Sequence, residues 1–217
     1  MALALLLKED GGLTFLISIV FFVVVLAFIL TMRGRRRRGL ERAAQEMGFS
    51  FEAKPASLET EGFLELPLLK RNTGLSNLLR GSTGMGEVVV VDVRTGSGKQ
   101  ASYRTAALYR LARKRLPVFE LRPEHIFDKI GAAFGYKDIN FESNPEFSKA
   151  YKLQGTDEAA VRELFHSGRL TFFEQQKGWS VEGAGEWLAV YRQVTSVAPG
   201  KLRSFLEETG RVAAGFD

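Results

Sequence analysis

Apolar residues follow three patterns along this chain. The first is an unbroken run: Leu13 to Met32 reads LTFLISIVFFVVVLAFILTM, twenty residues without a charge. A helix of that length rises roughly 30 Å, the thickness of a bilayer's hydrocarbon core, so the run predicts a transmembrane helix at 13–32. Its few polar side chains, Thr14, Ser18 and Thr31, can bond back to the helix. A cleaved signal peptide fits less well, because the preceding LLLKEDGG is net acidic and no small-residue cleavage motif stands before Arg33. RGRRRR at 33–38 then follows directly, against Lys8 alone on the other side. By the positive-inside rule this orients the N-terminus outward and the C-terminal part into the cytoplasm.

The second pattern is that of strands. Glu87–Val93 is rich in β-branched residues, Thr95–Lys99 (TGSGK) supplies a turn and Ala101–Leu111 returns, which predicts a β-hairpin. Four consecutive valines, Val88 to Val91, imply that both faces of that strand are covered. Leu116–Leu121 and Phe147–Leu153 read as further strands, the latter with Tyr151 and Leu153 on one face. A second hairpin is predicted from Trp179–Glu182 and Glu186–Arg192 around Gly183–Gly185, with Trp187, Ala189 and Tyr191 sharing a face. Phe49–Leu69, interrupted by Pro55, Gly62 and Pro67, reads as short strands and turns, and Arg80–Gly86 as a flexible entry to the first hairpin.

The third pattern is helical. Leu40, Ala43, Ala44 and Met47 share one face of a short helix within Gly39–Gly48. Pro123 is expected to open a helix whose apolar stripe is Ile126, Phe127, Ile130 and Phe134. Thr156 is expected to cap Asp157–Phe165, and Leu170–Gln176 to form another short helix. After Pro199, the positions Leu202, Phe205, Leu206, Val212, Ala213 and Phe216 keep a 3.6-residue period. Hairpins and helices are mixed without βαβ alternation. The expected fold class is therefore α+β: one N-terminal transmembrane helix followed by an antiparallel-sheet domain with packed helices. The expected parts are a tail (1–12), the transmembrane helix (13–32), a basic juxtamembrane segment with its short amphipathic helix (33–48) and a cytoplasmic domain (49–217).

Composition narrows the function more than it names it. The absence of cysteine excludes disulfides, thiolate metal sites and cysteine nucleophiles. Seventeen Phe against five Tyr and two Trp favour buried packing over a base-stacking surface. The net charge of +5 suggests nucleic acid until it is located: residues 1–38 hold +4 of it, so the rest is nearly neutral and no nucleic-acid partner is expected. Within that remainder, Lys99, Arg104, Arg110, Arg113, Lys114 and Arg115 fall together without an intervening acid. Arg33, Arg35, Arg36, Arg37 and Arg38, with Arg113, Lys114 and Arg115, are the candidate contacts to an anionic membrane surface.

No catalytic, cofactor or metal site is expected. TGSGK lacks the first glycine and the hydroxyl residue of a phosphate-binding loop, since Val93 and Gln100 hold those positions. Gly81, Gly84 and Gly86 precede a strand instead of joining strand to helix. The two histidines, His125 and His166, lack metal-ligand spacing. Glu124, His125 and Asp128 are the one polar group that could be asked to do chemistry, and a solvated helix face explains them as well.

The run LRPEHIFDKIGAAFGYKDINFESNPEFSKAYKLQGTDEAAVRELF, with GWSVEGAGEWLAVYR after it, resembles an uncharacterised family of bacterial single-pass membrane-anchored proteins with a cytoplasmic α+β domain. The resemblance implies a bacterial inner-membrane setting and carries no activity or site residues. The leading functional expectation is a membrane-tethered, non-catalytic interaction or scaffold module with a protein partner. The alternative is a membrane-proximal sensor or carrier binding a lipid or small ligand, and an enzyme comes third.

Overall fold

The structure is a computed structural model that describes residues 2–55, 61–111, 114–124, 138–193 and 196–217, with side chains described except at 2–13, 29, 30, 33 and 100. It divides into two compact units, Met1–Gly39 and Leu40–Asp217.

The first helix, α1, runs Ala2–Glu46 without a break at the arginine cluster. Among the described residues no helix is long and apolar enough to cross a membrane. The expected transmembrane helix at 13–32, and the single-pass membrane architecture built on it, are corrected accordingly. The uncharged run is not a separate element. It is the middle of a longer helix that also carries Lys8, Glu9 and Asp10 and then Arg33 and Arg35–Arg38. An apolar stretch counted alone overstates how apolar its helix is.

The second unit is an α+β domain on one eight-stranded antiparallel sheet, ordered β1-β2-β3-β4-β8-β7-β5-β6. The strands are β1 (Ser50–Glu52), β2 (Asn72–Thr83), β3 (Gly86–Thr95), β4 (Ser102–Arg110), β5 (Leu116–Pro123), β6 (Tyr151–Gly155), β7 (Trp179–Gly185) and β8 (Trp187–Arg192). Among the described residues, the helices that lie wholly within this unit are α2 (Pro67–Lys70), α3 (Pro145–Ala150), α4 (Glu158–Leu164), α5 (Ser167–Gln175) and α6 (Leu202–Ala214), with short 3-10 turns at Gly62–Glu65, Gly98–Gln100 and Pro199–Lys201.

Both expected hairpins form, β3 with β4 and β7 with β8, but the second turns at Gly185–Glu186, since Gly183 and Ala184 pair with Leu188 and Trp187 and so extend β7. The valine run splits as period two requires. Val88 and Val90 enter one core, Val89 and Val91 the other. The entry segment differs from expectation: Arg80–Thr83 belongs to a twelve-residue strand, β2. Its glycines and short polar residues give little strand signal, and pairing with β3 supplies what local propensity does not. Pro123 ends β5 opposite Tyr151 and Glu124 directly after it is helical, while the expected stripe Ile126, Phe127, Ile130 and Phe134 falls within 125–137, outside the described residues. Residues Pro145–Ala150 are helical, so the strand expected at Phe147–Leu153 begins only at Tyr151. Asp157 and not Thr156 caps α4, accepting the Ala160 N–H at 3.0 Å.

The end of α1 is fixed by Gly48, whose φ of +71° suits glycine. Phe49 N–H reaches Ala44 C=O at 2.8 Å and Gly48 N–H reaches Gln45 C=O at 3.1 Å, the bonding of a Schellman stop. Leu40 and Ala44 are buried in the first core with Phe49, and Ala43 and Met47 pack against it.

That first core holds most of the phenylalanine. Phe119 stacks on Phe216 with ring centroids 5.9 Å apart and meets Phe165 edge-on at 5.3 Å. Its cross-strand neighbours are Gly155 and Gly183. A Cβ on Gly183 would stand 2.3 Å from the Phe119 ring, so glycine is what lets the ring lie across the sheet. Replacing Gly183 by alanine is expected to push Phe119 off Phe216 and Phe165 and lower stability by about 1–3 kcal/mol. A denaturant midpoint for Gly183→Ala equal to wild type would contradict this packing.

Candidate functional site

The second core caps the other sheet face. Phe63, Leu66, Leu68 and Leu69, from the 3-10 turn and α2, cover Val89, Val91, Leu108, Ala189 and Trp187. Beyond that cap the same face becomes polar. Glu120 on β5 and Glu182 on β7 are directly opposed cross-strand partners, and Gln154 on β6 continues the row.

Two carboxylates opposed in a buried setting need counter-charge. Arg71, just after α2, donates to Glu120 from Nη1 at 2.9 Å and Nη2 at 2.7 Å, and from Nη2 to Glu182 at 3.0 Å. Arg122 is ion-paired with Glu120 from the same strand. Glu182 also accepts the Leu68 backbone N–H and, at 2.6 Å, the Tyr191 hydroxyl. Alongside, the buried Arg104 donates to Gln193 at 2.7 Å and Ser102 at 2.8 Å, and its guanidinium lies 5.7 Å from the Tyr191 ring centre. Its pKa is lowered by burial.

The charges divide unequally within this cluster. Burial, reinforced by the Glu120 charge, pushes Glu182 up to about 7 despite Arg71. Glu120 would also be raised by burial, but Arg71 and Arg122 outweigh that and hold it below the usual carboxylate range. Tyr191 is driven well above a normal phenol by burial and by Glu182. The cluster is closed over by α2 and carries a structural load, clamping the cap to the sheet.

The open feature lies elsewhere, on the first-core side. A groove of about 700 Å³ is lined by Met47 and Phe49 after α1, Ser82–Met85 at the β2–β3 turn, and Arg203, Leu206, Glu207, Gly210, Arg211 and Ala214 of α6. Two of the chain's four methionines are here. Methionine and small residues make an adaptable apolar floor, while Arg203, Glu207 and Arg211 stand exposed along the rim. The position of α6 is fixed from beneath. Buried Tyr109 donates to Leu206 C=O at 3.1 Å and shares a 2.8 Å bond with Thr209, and burial pushes its hydroxyl up to about 12. A second opening, lined by Gly84–Glu87, Arg110, Leu111 and Asp217, shares Gly84 and Met85 with the groove.

The residues expected from sequence to meet a membrane surface do not line this groove. Arg35, Arg37 and Arg38 are exposed on α1, Arg36 is half-buried, and the Arg33 side chain is outside the described ones. Arg115 is exposed and Lys114 half-buried after β4, and Arg113 lies outside the described residues. Glu124 pairs with Lys152 at 3.2 Å, His166 is exposed, and His125 and Asp128 fall outside the described residues. Among the described residues no cluster of His, Asp and Glu could hold a metal ion. Of the groove residues, the sequence pattern marks Met47 and Leu206 as core positions and does not single out Met85 or Gly210. The one available signal was a glycine inside a strongly amphipathic helix, which costs about 1 kcal/mol and calls for a reason.

No family model and no curated protein match the chain. Its fold is similar to that in the crystal structure of the mycobacterial trehalose monomycolate transport factor A, TtfA. The TM-score is 0.58 at 16% identity, over 85% of this chain and 92% of that one. At this identity the likeness is one of fold. The bacterial single-pass family suggested by the run from Leu121 is not among these matches.

The buried carboxylates generate a pH dependence whose sign is fixed. A carboxyl raised from 4.5 to about 7 on folding contributes stability that is full below 4.5 and is lost as pH rises through 7. Glu120, held low, acts oppositely, and its contribution is lost in acid. The denaturant midpoint is therefore expected to fall as pH rises from 4.5 to about 7, and Glu182→Gln, which cannot ionise, to flatten that slope. An unchanged slope in the variant would assign it to other groups.

Proposed function

We propose that this chain is a non-catalytic accessory protein whose domain holds a lipid-class amphiphile in the groove between the β2–β3 turn and α6. The observation that carries this reading is the groove itself. Its volume, about 700 Å³, lies in the range of ligand sites. Its floor of Met47, Phe49, Met85, Leu206, Gly210 and Ala214 is apolar, and its charged side chains are confined to the rim. The fold neighbour is named for transport of trehalose monomycolate, which agrees with an accessory role around a lipid. The groove favours the carrier reading over the scaffold reading.

Gly210 sharpens the argument. A Cβ there would meet only the Tyr109 hydroxyl, at an ordinary 3.7 Å, so packing within the chain does not demand glycine. Keeping the floor shallow beneath a ligand would.

The test is saturable binding of dodecyl glucoside, below its critical micelle concentration, to the full chain by calorimetry. Ala214 is exposed, so Ala214→Trp costs the core nothing and is expected to fill the groove and weaken binding at least tenfold with the melting temperature unchanged. Gly210→Ala is expected to raise stability by up to about 1 kcal/mol. Wild-type affinity in Ala214→Trp would remove the groove as the site.

A further inference from the structure

The groove and the opening beside it differ in chemistry along a common axis. On α6 the floor positions Leu206, Gly210 and Ala214 recur at every fourth residue. They therefore form one straight trough, roughly 12 Å long at 1.5 Å per residue. The small side chains of Gly210 and Ala214 leave its second half unfilled. At the β2–β3 turn the trough meets the adjoining opening through Gly84 and Met85, and there the lining becomes Glu87, Arg110, Leu111 and Asp217.

The charge of that polar end decides what it can receive. Its single guanidinium is already engaged: Arg110 Nε donates to Glu186 at 3.1 Å and Nη1 reaches Glu87 at 3.4 Å. Hydrogen bonding to Glu186 and the charges of Glu186 and Glu87 hold Arg110 above its usual pKa. Glu87 also takes Arg80 at 2.8 Å. Asp217, exposed at the same opening, makes no ion pair among the described residues. Each carboxylate offers about four lone-pair positions, and these guanidiniums occupy only some of them. What remains at this end is acceptor capacity and negative potential.

Resting on the groove reading, we propose that the ligand is a linear-chain amphiphile lying along α6, with a hydrogen-bond-donating headgroup, hydroxyl or ammonium, seated between Glu87 and Asp217. An anionic head would face two carboxylates and a cation already neutralised. The rival seat for an anion is the rim at Arg203 and Arg211. There Glu207 stands one helical turn from each arginine, and all three side chains are exposed. Attraction at such a rim is screened by salt and weak.

The experiment compares three ligands with one dodecyl chain and different heads: a glucoside, a primary ammonium and a phosphate. Each is titrated into the full chain below its critical micelle concentration. The glucoside and the ammonium are expected to bind at least tenfold more tightly than the phosphate. Raising the salt should weaken the ammonium and leave the glucoside unchanged, which separates the two donor chemistries. Glu87→Gln combined with Asp217→Asn should bring the three affinities within about threefold by raising that of the phosphate. Equal or tighter binding of the phosphate to the wild type overturns the headgroup assignment and leaves the groove standing, and Arg203→Ala with Arg211→Ala would then abolish it. Failure of all three to bind overturns the groove reading as well.

Discussion

Glu120 and Glu182 face each other across the neighbouring antiparallel strands β5 and β7, one strand in from the β6 edge of the sheet, and the capped face is organised around making that juxtaposition tolerable. Removing two charges from water costs several kcal/mol each unless they are paired and hydrogen-bonded. Arg71 supplies a fork that spans both acids, Arg122 joins from the strand, Tyr191 donates a hydroxyl, and Leu68 contributes its backbone N–H. Two of these donors belong to the short segment around α2. The electrostatic requirement of the sheet thus determines where the cap docks, and the cap in turn covers the apolar half of the same face.

The opposite face depends on packing. Phe119 lies over two glycines and gathers Phe165 and Phe216, while the buried Arg169 bonds the Leu164 and Gly215 carbonyls with its guanidinium 4.3 Å from the Phe216 ring centre. Tyr109 and Thr209 hold the middle of α6 to β4. With its inner side committed in this way, α6 presents Leu206, Gly210 and Ala214 toward Met47, Phe49 and Met85 across open space. The groove is the gap left between an immobilised helix and a β-turn, so its shape is preorganised by interactions that lie outside it.

Local signals account for the parts of this architecture that the pattern could reveal. Val88–Val91 must be covered on both sides, the chain must reverse near Gly185 between two apolar segments, and the apolar period from Leu202 to Phe216 must bury one helix face. Signals failed where a neighbour supplies the order. Strand β2 is poor in strand formers and exists through β3, and Phe147 is helical although it looks strand-like. The uncharged run 13–32 is the interior of a helix extending from Ala2 to Glu46. The candidate site was less legible than the fold. Met85 is 121 residues from Leu206 in the sequence, and no motif marks the pair.

Residue order alone settled the alternation of hairpins and helices, the near-neutral charge of the domain and the exclusion of thiol chemistry, because each follows from spacing or composition within short segments. It could not settle that β5 inserts between β6 and β7, which is what brings Glu120 against Glu182. Nor could it settle that α6 stops short of the β2–β3 turn. Those facts arise from long-range pairing and from the competition of side chains for a common core, and both the buried charge cluster and the groove exist only once that competition is resolved.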